Sequence, residues 1–544
     1  MDTVLPDAAA RDGSRSACRT VVLLTAAFLL RGVFLAFALP FGDPLDEPFH
    51  YAYASFLAST GRPPQAQQPS ISDEEVRASV VMPQPGAFGP STLTFRQFLE
   101  MPAAEQARRR EQAFAISPGA RTAWRVPDYE SQQPPLAYAL AAPLLRRLGS
   151  SALDRRLLAL RLFGALIAAA AVPIVYALLR RFLETRTALA ALAAYVAFPG
   201  IGTFVGRFTN DQLALPIAAA LLWLLVEIAE RGITAAQSVA LAGLLAAGLW
   251  TKLYFLVFLP AFLLTALLSR PAVRARTLAR VGAATLAAAL VFVPWAARQK
   301  ALTGDWFGLT DTVRAQELGV TAADRFRELP GLLHPVNLAV LGRTFVWPGT
   351  WTWIGAPFPV SLLLGGAFVF LLASARRPPD RSARRGLVAL ALALGCFAAG
   401  QAAHAAAFAA IARKAHAAAA AGFEGWYALI LAPVLLVGGE AIGRLRRTGF
   451  VVLAASGLIA EAALLFGLLP ACYALDFARH AIPSFSPCLA FLAHPGGALR
   501  VLNAVGLARP GRGWLAALAA AWLAAIGAAI ALVARRPRAA RSEP

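Results

Sequence analysis

Apolar stretches long enough to cross a bilayer recur along almost the whole of this chain, and no other feature constrains its fold so tightly. About 20 apolar residues span the hydrocarbon core as a helix, and Thr20 to Pro40 is the first such run. Further runs fall at roughly 158–181, 187–206, 211–229, 235–250, 253–269, 280–297, 358–375, 387–411, 426–443, 449–470 and 514–534. Backbone polar groups in lipid must be satisfied within their own segment, so runs of this kind become helices. The sequence therefore predicts an all-α polytopic membrane protein of about 12 transmembrane helices. With 58% of residues hydrophobic and 15% charged, little chain remains for a separate soluble domain.

A formal net charge of +21 would point to nucleic acid in a soluble chain. Here the arginines punctuate the hydrophobic runs without interleaved aromatics, so the positive-inside rule accounts for them and nucleic acid is not an expected partner. Arg11, Arg15 and Arg19 place the N-terminus in the cytoplasm, and the basic tail at 535–544 places the C-terminus there. Basic turns at Arg180-Arg181-Arg186, Arg270 to Arg280, Arg376 to Arg385 and Arg444-Arg446-Arg447 agree. This topology requires Pro134 to Leu148 to lie along the outer interface as an amphipathic helix. Arg146, Arg147, Arg155 and Arg156 then sit outside, against the rule. The first apolar run lacks a small-residue cleavage site and is expected to stay as an anchor.

The expected organisation is a cytoplasmic tail at 1–19, then a transmembrane module at 20–300 that includes an extracytoplasmic loop at 41–157. A second outer loop follows at 301–357, and a C-terminal module at 358–534 carries a third at 471–513. The large first loop, with its interfacial helices and a polar helical stretch from Phe95 to Ala115, suggests a small folded cap. The second carries Trp306, Trp347, Trp351 and Trp353, for which an interfacial aromatic belt is the common explanation. The third holds Cys472 and Cys488, whose pairing the spacing leaves open. The expected location is the inner (plasma) membrane, with the site facing the periplasm or exterior.

Chemistry-bearing residues gather on that outer side. Asp46-Glu47 opens the first loop, and paired acids at the mouth of an apolar bundle suit proton abstraction or cation stabilisation. A solvated turn is the plainer account of the pair, and Asp43 before Pro44 can simply cap that turn. His50 lies one helical turn beyond Asp46, able to orient a carboxylate, ligate a metal or bind phosphate. Glu130 can complete an acidic trio or bind a divalent ion with Glu47; Glu47, His50 and Glu130 are the candidate metal ligands. Asp211 falls in a short turn, as a functional acid or as an N-cap with Asn210. Arg207 and Lys252 can hold a phosphate or snorkel to lipid headgroups. Arg413, Lys414 and His416 form another basic cluster before Glu424. No Cys/His metal spacing and no Gly-rich nucleotide loop occur.

Four fragments in order, Asp46-Glu47-Pro-Phe-His50-Tyr51, Tyr129-Glu130-Ser-Gln-Gln133-Pro134-Pro135-Leu136, Asn210-Asp211-Gln-Leu-Ala and Leu249-Trp-Thr251-Lys252, resemble the GT-C integral-membrane glycosyltransferases. That family includes protein O-mannosyltransferases and lipid A aminoarabinose transferases, and the likeness runs over about residues 20–300. It implies a polyprenyl-phosphate-linked sugar as donor and a glycan, lipid or protein acceptor, with the first-loop acid, Asp46, as base or as the group that orients the acceptor. Glu47 and Asp211 join Asp46 as catalytic candidates, and Gln133 and Tyr427 join His50, Glu130, Arg207 and Lys252 as substrate-binding ones. In the second half Glu424-Gly425-Trp426-Tyr427 stands where relatives often show a Gly-Arg-Tyr motif, so Trp426 weakens a phosphate role there. No cofactor is certain, and a divalent metal ion stays open.

Arg31, Glu227, His404 and Glu461 lie inside spans, where a central charge costs roughly 2.5–3.5 kcal/mol. An ion path through them would suit a transporter or flippase of lipid-linked glycans, although no inverted repeat is visible. A non-catalytic assembly scaffold is the third alternative.

Overall fold

The computed structural model describes residues 8–43, 46–66, 68–83, 93–115, 118–347, 356–375, 384–416, 424–441, 443–475 and 485–535. Trp351, Trp353 and the basic tail beyond Arg535 lie outside the described residues. The landmark elements are α1 (Ala8–Ala38), α2 (Glu47–Thr60), β1 (Pro69–Ser72), β2 (Trp124–Pro127), α3 (Leu136–Arg147), α4 (Leu153–Ala169) and α5 (Asp211–Arg231). They continue with α6 (Pro335–Val346), α7 (Phe358–Ala373), α8 (Arg384–Lys414), α9 (Arg447–Ala463) and α10 (Arg512–Ala534).

The chain is a multi-pass helical membrane protein. Among the described residues seven helices are long and apolar enough to cross a bilayer, or up to nine if each of two bent pairs counts as one span. One bent pair, Thr185–Val196 with Pro199–Val205, turns by 62°. The other, Ser486–Ala493 with Pro495–Val505, turns by 100° and fills part of what the sequence suggests is a loop. The difference from about twelve arises at Ala235–Leu249, Leu253–Leu268, Phe358–Ala373 and Gly425–Gly438, apolar helices of under 18 residues. At 1.5 Å per residue, 15 residues reach only about 23 Å, short of a hydrocarbon core of about 30 Å. The amphipathic helix α3 spans 12 residues and packs on α2.

Charges inside the bundle find partners, as a low-dielectric interior demands. Arg31 of α1 reaches Glu461 of α9 at 3.8 Å, both side chains 1% exposed, and donates to the carbonyl of Phe198. Gly202 makes room for this pair, since a Cβ there would lie 2.7 Å from Glu461 Oε1. Glu227 meets Arg181 at 2.8 Å. Each of these three charges thus has a structural reason to be where it is.

The first polar loop folds into a cap with its own core, in which Phe41, Tyr51, Tyr53, Phe114, Tyr138 and Phe208 are buried. Its strands pair antiparallel, with Pro69 opposite Pro127 and Ser72 opposite Trp124. Ser72 and Glu75 then form a capping box that starts the helix Asp73–Val81. Arg156, an apparent exception to the charge rule, is an internal partner: it pairs with the buried Glu74, and Arg121 joins at 3.4 Å. Arg413 and Lys414 likewise bind within the second loop, to Glu328 and to Asp324. Cys472 and Cys488 are both buried free thiols. Asp43 is buried and accepts a hydrogen bond from Tyr473 Oη at 2.6 Å.

Candidate active site

The end of α1 presents carbonyl groups with no helical partners, and Arg161 of α4 meets them. Its Nη1 donates to the carbonyls of Ala36 and Leu39, and its Nη2 to that of Pro40. The same guanidinium grips Glu47, from Nε to Oε1 at 2.8 Å and from Nη2 to Oε2 at 2.5 Å. The Phe208 amide also donates to Glu47 Oε1, at 2.8 Å. Glu47 and Arg161 are fully buried. Both Glu47 oxygens are engaged, which suits an anchor better than a proton carrier or a metal ligand.

One residue earlier the chain turns through a left-handed conformation at Asp46, φ 60° and ψ −3°. Aspartate tolerates that region better than most residues. The Asp46 carbonyl accepts from the His50 amide to begin α2, but its carboxylate makes no capping bond. The side chain instead enters the electrostatic neighbourhood of Arg207, Lys252 and Asp211. Loss of water raises its pKa above the ordinary value, while a hydrogen bond from Tyr129 and the two cations oppose the rise.

Three other acids share this space. Asp211, the first residue of α5, accepts from Lys252 Nζ at 2.6 Å and from Tyr254 Oη at 3.2 Å. Asn210 stands at the N-cap without a side-chain capping bond, so Asp211 is turned to Lys252 and not to capping. Lys252 Nζ lies 5.3 Å from the Tyr254 ring centre and 5.7 Å from that of Tyr427, a cation–π setting. Glu130 is buried, and burial together with the charge of Asp46 pushes its carboxyl up to about 8. Glu424 is also pushed up to about 8, by burial and then by Asp46. Arg207 is buried beside Asp211, Asp46 and Glu47, whose charges oppose the lowering that burial causes.

Around this centre the cap supplies a hydrogen-bonded wall. His50 Nδ1 lies 2.7 Å from Tyr138 Oη and 3.8 Å from Glu130 Oε2, and burial holds the imidazole well below its usual pKa. Tyr53 stacks on Tyr138 and donates to the carbonyl of Gln133 at 3.1 Å. The Leu136 amide donates to the carbonyl of Trp250 at 2.9 Å, tying the Pro134-Pro135 segment to the turn that carries Lys252. Gln133 Oε1 is buried and, among the described residues, has no hydrogen-bond partner.

The structure thus gathers Asp46, Glu130, Arg207, Asp211, Lys252 and Tyr427, with His50 and Gln133 behind them. Glu47 also lies near Arg207, but its two oxygens are taken up by Arg161 and the Phe208 amide. Among the described residues no set of three or more His, Cys, Asp or Glu side chains is arranged to hold a metal ion, Glu47, His50 and Glu130 included. Sequence reasoning missed Arg161, Tyr129, Tyr254 and Glu424 as site residues. An arginine inside an apolar run was the available signal for Arg161, and the motif reading had already quoted Tyr129 and Glu424.

Residues 133–297 match the model of the dolichyl-phosphate-mannose-protein mannosyltransferase family. The resemblance to the GT-C membrane glycosyltransferases is upheld. The mannosyltransferase match covers somewhat under a third of the chain and includes Gln133, Arg207, Asp211 and Lys252, while Asp46, Glu130 and Tyr427 fall outside it. The crystal structure of ArnT from Cupriavidus metallidurans bound to undecaprenyl phosphate aligns with 94% of this chain and 76% of its own. That alignment has 17% identity and a TM-score of 0.43, a likeness too loose to carry an argument. No curated protein matches the chain.

Proposed function

We propose that this chain is a membrane glycosyltransferase that moves a sugar from a polyprenyl-phosphate donor to an acceptor hydroxyl, with Asp46 as general base. One observation carries the reading. A carboxylate unused in capping, Asp46, lies within electrostatic reach of two cations, Arg207 and Lys252, brought in by separate turns of the chain. Acceptor activation and leaving-group stabilisation need those two kinds of group side by side.

In this mechanism Asp46 takes the proton of the acceptor hydroxyl as its oxygen attacks the anomeric carbon. The bond from that carbon to the phosphate oxygen breaks on the opposite side, so the configuration inverts. The departing polyprenyl phosphate takes the bonding electrons, and Lys252 and Arg207 stabilise its charge. Asp211 and Tyr254 fix the Lys252 ammonium, and Tyr129 orients the base. Glu130 and Glu424, both pushed up to about 8, are proposed to stay protonated near neutral pH, which spares Asp46 two neighbouring negative charges.

The arginine-rich turns lead us to place this pocket on the extracytoplasmic face of the inner membrane. Donor entry from the outer leaflet follows from that placement. The ion pairs of Glu227 with Arg181 and of Arg31 with Glu461 give these charges a structural role, which favours the enzyme over a transporter.

The test is protein in nanodiscs with radiolabelled polyprenyl-phosphate sugars and membrane extract as acceptor, wild type beside Asp46→Asn. Transfer by the wild type alone supports the assignment. Transfer by both moves the base elsewhere, and transfer by neither, with lipid crossing the bilayer, favours the flippase.

A further inference from the structure

An apolar opening lies away from the acidic site. It is a groove of about 630 Å³ between α6, α7 and α9 and the helices Thr185–Val196 and Ala432–Gly438. Tyr195, Phe198, Phe345, Phe358 and Leu436 are among its walls. Arg343 is the single charged residue that lines it, and no acid does. Arg343 Nε is buried and, among the described residues, has no hydrogen-bond partner.

We infer that this groove binds an anionic phospholipid of the surrounding membrane, with an acyl chain in the groove and the phosphate on Arg343. Phe358 at its rim is 72% exposed, and neighbouring Leu362 and Val369 on α7 are also exposed. Helix α7 is apolar all round, so its exposed faces belong against lipid tails and the groove opens to them. A guanidinium with an unsatisfied donor on such a wall is costly, and a phosphate with parallel oxygens answers that cost. Two glycines, Gly342 and Gly365, line the groove with open space beside them. A Cβ placed on Gly342 or on Gly365 would meet nothing within 4 Å.

This is a second lipid site, separate from that of the proposed donor and independent of that proposal. None of Asp46, Arg207, Asp211, Lys252 or Tyr427 lines the groove. The segment Gly425–Leu431, which carries Tyr427, packs against α6 so closely that a Cβ on Gly425 would lie 2.0 Å from the Leu341 carbonyl oxygen.

The experiment uses full-length protein, delipidated in a neutral detergent, with photoactivatable phosphatidylglycerol or phosphatidylcholine and mass spectrometry of labelled peptides. The expected result is labelling of α6 and α7 peptides, with phosphatidylglycerol preferred by about ten-fold. Arg343→Gln should erase that preference, and Gly365→Leu should block both lipids. Gly342→Leu serves as the second filling variant, with thermal melting to confirm that each protein is folded. Undiminished labelling in folded Gly365→Leu or Gly342→Leu would overturn the site, as would an unchanged preference in Arg343→Gln. Displacement of phosphatidylglycerol from these peptides by a long-chain polyprenyl phosphate would overturn the separation from the donor.

Discussion

Arg161 holds Glu47 through both carboxylate oxygens, across 114 residues of chain, with neither side chain exposed to solvent. Asp46, its immediate neighbour, makes no capping bond and faces Arg207 and Lys252. Two adjacent acids thus have opposite settings: one is fixed to the scaffold, and the other is carried by that fixture into the pocket.

Removing one member of the buried pair should damage the fold before it damages chemistry. Glu47→Gln or Arg161→Met is expected to cost about 3–5 kcal/mol, because the remaining group is left buried and unpaired. Thermal melting in detergent would show a large fall in Tm for either variant. A double variant, Glu47→Leu with Arg161→Met, should recover part of the loss.

Asp46→Asn should behave in the reverse way. The general base contributes about 10²–10⁴ in rate, so transfer should drop by that factor while Tm stays near the wild-type value. A comparable drop in Tm would show that Asp46 belongs to the anchor as well.

Lys252→Met is expected to raise the donor KM by about ten-fold or more, as loss of a charge-assisted contact would. Asp211→Asn should have a smaller effect, since it loosens the ammonium without removing it. Because the two side chains are in contact, the double variant should depart from additivity by about 0.5–3 kcal/mol. Steady-state kinetics on all four proteins would measure it.

Stability should fall as pH rises, owing to the two acids pushed up to about 8. Glu130 and Glu424 bind a proton more tightly in the folded protein than at their ordinary value of 4.5. Their stabilising share is complete below pH 4.5 and is lost as pH climbs through about 8. Glu424→Gln should flatten that decline, seen as a smaller drop in Tm across this range. An identical slope in wild type and variant would show that Glu424 does not titrate there.

Much of the architecture is legible in the sequence because hydrophobic run length is a local property. Helices form at the apolar runs from Thr20 to Ala534, while those at Ala235–Leu249 and Phe358–Ala373 are shorter than the length that marks a span by itself. The candidate site was visible as residue types: Asp46, Asp211 and Lys252 stand out against apolar surroundings. Their division of labour was not, since it depends on partners distant in sequence. Arg161 decides the role of Glu47, and nothing near Glu47 announces it. Lys252 and Asp211 are 41 residues apart, and only the packing of α5 brings them to 2.6 Å. The lipid groove was invisible for the same reason, being space left between helices.

The Arg161 guanidinium that holds Glu47 also collects the last carbonyls of α1, so the position of Asp46 is referenced to the end of the first span. The proposed base is therefore surveyed from the membrane as well as from the cap, whose Tyr129 reaches it. Helices tilt when the hydrocarbon thickness departs from their own apolar length, and a tilt of α1 would carry Asp46 along. The bilayer itself then becomes part of the geometry of the proposed site, and any transfer activity in lipids of graded chain length should pass through an optimum where α1 is matched.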